Sequence, residues 1–357
     1  MTAGYMPRVA ATLATACALL VAAAPVVHSD PTPPAGRELF SVQDRRIAEL
    51  SGMTRGTVDG VVFAHQDAGR PATVHAIDPN GRVRLAVDVP GVPNVDWEDM
   101  AIGTDDEGRP ALFVADIGDA AAARKGTDDP PRATFALIRF TEPVVELDSR
   151  VGVVPMEVDA QDVVVFGLEY ADGAARNAES LAVQPGTNRV FVVNKVRPEG
   201  QAHLWIAPKT LDPDESNKLT RLAPLPVTGA TGADFSPSGE LLAVRNGTTA
   251  YLWPVGDDVA AAVAKAPVEV ALPKQKQGES ITFAPDGRSL LVGSEGREQP
   301  VWSVPLPDSI APPLPPPDPE PARALPDERV VVVQWAAVGA GVLGVLVMIW
   351  RVRRRHP

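Results

Sequence analysis

The sequence predicts an all-β protein, a five- to six-bladed β-propeller, with a single transmembrane helix near its C-terminal end. Three observations carry this. An acidic residue, an apolar strand, a Pro/Gly turn and a second apolar strand recur in that order along residues 38–307. Most copies are separated by about 45 to 55 residues, the period of four-stranded propeller blades. Val330 to Trp350 carries no charged side chain over 21 residues, enough at about 1.5 Å per residue to cross the hydrocarbon of a bilayer.

Residues 1–29 read as a secretory signal peptide. Arg8 is the charge of the n-region and Val9 to Ala24 has the length of an h-region. Val27-His28-Ser29 offers a cleavage site before Asp30, and Ala22-Ala23-Ala24 is the rival. Cys17, the only cysteine, lies inside this segment. The mature chain therefore has no disulfide, thiolate metal site or cysteine nucleophile.

The repeat begins weakly at Ser51-Gly52-Met53, before Val61 to Ala64. It returns at Glu98-Asp99-Met100 before Leu112-Phe113-Val114, and at Glu179-Ser180-Leu181 before Val190 to Val193. Asp234-Phe235-Ser236 before Leu241 to Val244, and Glu279-Ser280-Ile281 before Ser289 to Val292, complete the set. Third strands are expected at Thr73 to Ile77, Phe135 to Phe140, His203 to Ile206, Tyr251 to Val255 and Val301 to Val304. More polar fourth strands are expected at Arg82 to Val87, Val153 to Val158, Leu219 to Leu222 and Val268 to Leu272. Apolar and polar residues alternate in several of these, as half-buried strands require. The interval from Glu98 to Glu179 is 81 residues. It holds either long insertions or a sixth blade around Val151 to Tyr170. The last unit lacks a fourth strand, which Leu39 to Ala48 would supply, closing the ring and removing sheet edges. Val259 to Lys265 is the one clear helix candidate.

Beyond the propeller, residues 308–329 form a proline-rich stalk. Polyproline II conformation would extend some twenty residues to roughly 60 Å. The span at 330–350 has Trp335 and Trp350 near its ends, where indole rings favour the interface. The tail, 351–357, carries Arg351, Arg353, Arg354 and Arg355, which places it in the cytoplasm by the positive-inside rule. The expected location is the cell membrane, single-pass, N-terminus outside and C-terminus cytoplasmic. Ala336, Ala340 and Gly344 share one face of the span, which would permit a helix-mediated dimer.

The chain has 33 Lys and Arg against 45 Asp and Glu; without Arg8 and the four tail arginines the exported part has 28 against 45, a net of −17. That argues against nucleic acid as a partner. It suits divalent cations or cationic ligands, or simple solubility.

In a propeller the innermost strands line the channel, and loops at one mouth form the usual site. Glu98, Glu179, Asp234 and Glu279 open the innermost strands, so they are the candidate metal ligands. Converging carboxylates repel unless a cation joins them or their pKa values rise, and oxygen donors suit Ca²⁺. Structural hydrogen bonds to neighbouring blades are the other use for the same acids. A second polar set follows the second strands: His65 and Asp67, Asp116 and Asp119, Asn194 and Lys195, Arg245, and Glu295. These are the candidate ligand-binding residues, with Lys195 and Arg245 able to hold an anion. The catalytic residue is left unassigned: no Gly-x-Ser-x-Gly elbow, phosphate-binding loop or His-Glu-x-x-His is present.

The stretches Asn94 to Ala101, Val114 to Asp119, Asn177 to Leu181, Thr231 to Pro237 and Gln277 to Ser280 resemble landmark segments of a bacterial secreted family. Its members are grouped as esterase-like-phytase or WD40-like β-propellers. The resemblance covers nearly the whole exported domain and implies the propeller fold and a metal-dependent phosphoester hydrolase activity. Ala120 stands where the resemblance implies an Asn, a departure that weakens a ligand site there. Two functions are therefore expected. One is a membrane-anchored binding or scaffold module meeting a cell-envelope protein or glycan, or a small anionic ligand, with a central divalent cation. The other is a Ca-dependent phosphoester hydrolase, phytase-like or esterase-like.

Overall fold

A computed structural model describes residue 1 and residues 36–119, 131–132, 134–147, 152–196 and 200–313. The expected signal peptide, the stalk beyond residue 313, the span and the basic tail lie outside the described residues. Among the described residues no helix is long and apolar enough to cross a membrane. The chain divides into two units, Met1–Ala311 and Pro312–Pro357, and the β-rich body belongs to the first.

The turns set where strands begin and end. Gly239 and Gly287 adopt φ of 74° and 66° in the sharp connections after two innermost strands. An L side chain rarely adopts that conformation, which is why Ser238-Gly239 and Asp286-Gly287 punctuate the chain there.

In chain order, β1 (Arg37–Ser41) precedes a first unit of β2 (Leu50–Arg55), β3 (Val62–Gln66), β4 (Thr73–Ile77) and β5 (Val83–Asp88). Next come β6 (Trp97–Thr104), β7 (Pro110–Asp116), β8 (Phe135–Thr141), β9 (Val154–Glu157) and β10 (Val164–Tyr170). The third unit is β11 (Ala178–Gln184), β12 (Arg189–Asn194), β13 (Ala202–Ile206) and β14 (Asn217–Leu225). The fourth is β15 (Gly232–Phe235), β16 (Leu241–Arg245), β17 (Thr249–Pro254) and β18 (Val268–Ala271). The last is β19 (Gly278–Phe283), β20 (Ser289–Ser294) and β21 (Pro300–Pro305). β1 pairs antiparallel with β21, Arg37 opposite Ser303, so the N-terminal strand completes the last sheet.

The innermost strands β2, β6, β11, β15 and β19 pack each against the next, and β19 returns to β2. This cyclic arrangement of up-and-down sheets is a propeller. Apolar residues fill each junction between neighbouring units. Phe63 shares one core with Met100, Leu112 and Phe140; Phe113 shares another with Leu181 and Trp205; Phe191 shares a third with Trp253 and with Phe235, whose ring lies 5.4 Å away. Leu252 shares a core with Phe283 and Leu290, and Met53 shares one with Leu291, Val301 and Phe40 at the closure. Each buried large side chain contributes roughly 1.5–3 kcal/mol.

The expected third strands and the helix are found at their positions; the helix is α1 (Val259–Val263), capped by Asp258, which accepts from Ala261 N. Two expectations need correction. Val153 to Val158 does not serve as the fourth strand of the second unit. Instead β9 pairs parallel with β5, Leu85 opposite Val154, and extends the first unit outward. The fourth strand is β10, which pairs antiparallel with β8 and parallel with β14, Leu168 opposite Asn217. Val151 to Tyr170 thus supplies edges to existing sheets, and no separate blade forms there among the described residues.

Candidate functional site

The start of an innermost strand is where the side chains of the mouth are aimed. In β6, Trp97 pairs with Asp116 and Asp99 with Ala115, which leaves Glu98 as an extra residue. In β11, Ala178 pairs with Asn194 and Ser180 with Val193, which leaves Glu179 extra. In β19, Glu279 and Ser280 together oppose Gly293, because Gly278 pairs with Ser294 and Ile281 with Val292. An inserted residue of this kind kinks the strand and re-aims a side chain. β15 has no such insertion: Gly232, Ala233, Asp234 and Phe235 pair in step with Arg245, Val244, Ala243 and Leu242. Asp234 therefore sits at the register of Met100, Leu181 and Ile281, one pair further from the mouth than the glutamates. The structure brings Glu98, Glu179 and Glu279 together and leaves Asp234 out.

Asp67, Asp96 and Glu295 join the three glutamates. One carboxylate oxygen each from Asp67, Asp96 and Glu98 lie within 4.8 Å of one another. Gly118 abuts this trio; a Cβ there would overlap Glu98 Oε1 and the Asp96 carboxyl group. Lys195 is the cation among these acids and donates to Glu179 Oε2. Asn177 donates to Glu179 Oε1 at 2.9 Å and accepts at Oδ1 from Asp119 N at 2.6 Å. Glu295 accepts from Gln277 Nε2 at 2.5 Å.

Burial and mutual repulsion raise these carboxyl groups. Burial first, then Glu179 and Asp96, hold Glu98 well above the usual range. Burial pushes Glu179 up to about 7 although Lys195 opposes it. Burial also raises Glu279, against Lys195 and Arg245. Glu295 reaches about 8 through burial and the charges of Glu279 and Asp67. Burial pushes the Lys195 ammonium down, but Glu179, Glu279 and Glu98 outweigh it and leave it above its ordinary value. The mouth gathers more carboxyl groups than one ammonium can neutralise.

Beneath the mouth two aspartates lace the innermost strands. Asp99 Oδ2 accepts from Leu181 N at 2.8 Å on β11 and from Ala233 N at 3.0 Å on β15, while Oδ1 accepts from Met100 N. Asp234 Oδ2 accepts from Arg55 Nη1 at 2.8 Å on β2, and from Thr282 Oγ1 and Phe283 N on β19. Burial raises both carboxyl groups, opposed chiefly by these backbone donors for Asp99 and by Arg55 for Asp234. Asp234, expected among the metal ligands, has all its visible partners within the ring wall, because its strand lacks the inserted residue that aims the glutamates outward.

The remaining candidates sit around or behind the mouth. Asp116 pairs with Arg132 at 2.7 Å and accepts from Asp96 N at 3.0 Å. Asp119 accepts from Arg132 N at 2.9 Å. Asn194 accepts from His203 N and Trp205 Nε1. His65 is fully buried edge-on against Trp97, and burial lowers its pKa to about 4. Arg245 corrects an expectation. It is fully buried, with its pKa lowered by burial to about 10. It donates to Ser280 O, Asn246 O and Gln275 Oε1. Gly278 makes room for the guanidinium, since a Cβ would collide with Nη2. It is folded into the wall and does not present itself to a ligand.

Asp96, Asn177 and Gly118 were not among the candidates. All three lie inside the family-like segments Asn94 to Ala101, Asn177 to Leu181 and Val114 to Asp119, which was the signal available. Their roles depend on distances between segments that no spacing reveals.

No family model and no curated protein matches the chain. Solved structures similar to it include the Cps50 (Swd1) β-propeller domain of Myceliophteria thermophila. That match has 12% identity, covers 76% of this chain and 99% of that one, and has a TM-score of 0.39. The RRP9 WD40 repeats match at 11% identity over 77% and 99% of the two chains, TM-score 0.40. A gluconolactonase from Xanthomonas campestris matches at 16% identity over 77% and 95%, TM-score 0.38.

Proposed function

We propose that the chain is an exported, membrane-held, five-bladed propeller that acts as a binding module at the cell envelope, with a divalent cation of the Ca²⁺ class at its acidic mouth. The observation that carries the cation is the trio Asp67, Asp96 and Glu98, with an oxygen from each within 4.8 Å of the others. A cation contacting oxygens at about 2.3–2.6 Å spans such a separation. The donors are carboxylate oxygens only, which suits Ca²⁺ or Mg²⁺ rather than zinc. A doubly positive ion would also offset the burial and the mutual repulsion that raise Glu98 and Glu295. The export signal, the proline stalk and the apolar run at 330–350 support presentation of this mouth away from a membrane.

Phosphoester hydrolysis is the weaker reading. It needs an anion clamp beside the cation, and the two cations expected for it, Lys195 and Arg245, are engaged with Glu179 and with the wall. Melting of the full chain in detergent tests the proposal. Ca²⁺ is expected to raise the melting temperature and a chelator to reverse it. Asp96→Asn with Glu98→Gln is expected to abolish the shift, and Gly118→Ala to weaken Ca²⁺ binding roughly 10–100-fold by displacing both carboxylates. A melting temperature indifferent to Ca²⁺ and chelator would contradict the proposal.

A further inference from the structure

A concavity opens beside the first unit, next to the acidic mouth. It has a volume of about 640 Å³, within the range of small-molecule pockets. Its walls come from the β1–β2 connection, the β3–β4 turn, the face of the first unit and the β20–β21 turn. Four arginines line it: Arg45, Arg46, Arg70 and Arg297. In an exported part whose net charge is −17, this is an island of positive charge.

The arginines are not equivalent. Arg46 is held by Asp44 at 2.5 Å and Arg70 by Glu49 at 2.6 Å. Arg45 and Arg297 have no carboxylate partner among the described residues, and both are exposed. Asp88, also at the groove, accepts from Thr73 Oγ1 at 2.7 Å. Asp44, Glu49 and Asp88 offset most of the four guanidinium charges, and Glu295 lies close enough to be shifted by Glu49. That balance favours a monoanion over a dianion, which three nearby carboxylates would repel.

His75 lines the same groove from the middle of the first unit. It is 5% exposed, and its Nδ1 has no hydrogen-bond partner. That atom is itself out of contact with solvent, so His75 forms a wall of the groove and reports on a ligand there without donating to it. Burial lowers the pKa of this ring to about 4, so it is neutral and adds no charge to the balance. Ala86, Pro71 and Pro155 supply apolar surface beside the charges. The walls are tied together by backbone: Gly296 N donates to Ala48 O at 3.0 Å, and Asp67 N to Glu49 O at 3.1 Å. Ala48 N donates to Gln66 Oε1 at 3.0 Å.

We propose that this groove binds a small organic carboxylate with an apolar body, its two oxygens held by Arg45 and Arg297. Guanidinium donors match carboxylate geometry, and the apolar walls cover the remainder of the ligand. None of the three proposed cation ligands, Asp67, Asp96 and Glu98, lines this groove.

Calorimetry of the full chain in detergent with four probes tests this. Benzoate and hexanoate are expected to bind saturably, near about 0.1–1 mM. Benzylammonium is expected not to bind here, and phenyl phosphate to bind no more tightly than benzoate. Arg45→Gln with Arg297→Gln should weaken benzoate at least about tenfold while leaving Ca²⁺ binding at the mouth unchanged; that loss corresponds to about 1.4 kcal/mol. Glu98→Gln should leave benzoate binding intact. If the double variant folds poorly, the ring resonances of His75 in the wild-type chain give a second readout and are expected to move on benzoate titration. Absence of saturable benzoate and hexanoate binding, equal affinity in the double variant, preference for phenyl phosphate, or unmoved His75 resonances would each overturn the proposal.

Discussion

Asp234 and Glu279 look alike in sequence, each an acid opening an apolar strand, and they differ in their surroundings. Asp234 holds Arg55 and the β19 backbone inside the ring, whereas Glu279 faces the mouth. Removing one partner of a buried, hydrogen-bonded pair leaves an uncompensated charge and costs about 3–5 kcal/mol. Asp234→Ala is therefore expected to lower unfolding free energy by about that amount, read from urea denaturation, without changing cation affinity at the mouth. A variant as stable as the wild type would show that Asp234 does not lace the ring. The acids themselves were legible in the sequence, because each directly precedes an apolar strand followed by a turn and a second apolar strand. Which of them meet was not legible. That depends on one inserted residue in β6, β11 and β19 that β15 lacks, and pairing register is set by the partner strand. Arg245 misled for a related reason: a polar residue after an apolar strand reads as a mouth residue, but Gly278 leaves room for it to turn inward.

At the scale of elements, β1 is the most consequential strand. It covers the edge of β21 and brings Phe40 into the core at the junction of last and first units. An uncovered strand edge is a template for pairing with other chains. Deleting Arg37–Ser41 is expected to lower the melting temperature and to cause concentration-dependent association, measured by light scattering. An unchanged association state with unchanged melting would remove β1 from the closure. Strand positions were readable because turns and apolar alternation are local. The roles of β9 and β10 were not, since both make parallel pairings with strands far away in sequence, β5 and β14. Periodicity says that a segment is a strand without saying which edge it joins.

For the whole molecule, charge and pH are linked through the mouth. Glu179 and Glu295 have folded pKa values of about 7 and about 8, above their ordinary 4.5. A raised acid binds its proton more tightly in the folded state, so its stabilising effect is present at low pH and is lost as pH rises through the folded value. His65 and His75 work oppositely. Lowered to about 4 from 6.5, they favour the folded state above pH 6.5 and lose that effect as pH falls. Below pH 6.5 the two effects offset, while between pH 6.5 and 8.5 the glutamates act alone. In chelator, melting temperature is expected to fall across that window, and saturating Ca²⁺ is expected to flatten the fall. A melting temperature that rises with pH there would contradict the charged state assigned to the mouth.

Calorimetric titration of Ca²⁺ into the full chain at pH 8 addresses the cation directly. One ion per chain is expected, with binding lost in Asp96→Asn with Glu98→Gln and retained in Asp234→Ala. No saturable heat, or equal binding in the Asp96/Glu98 variant, would contradict a cation held at the mouth.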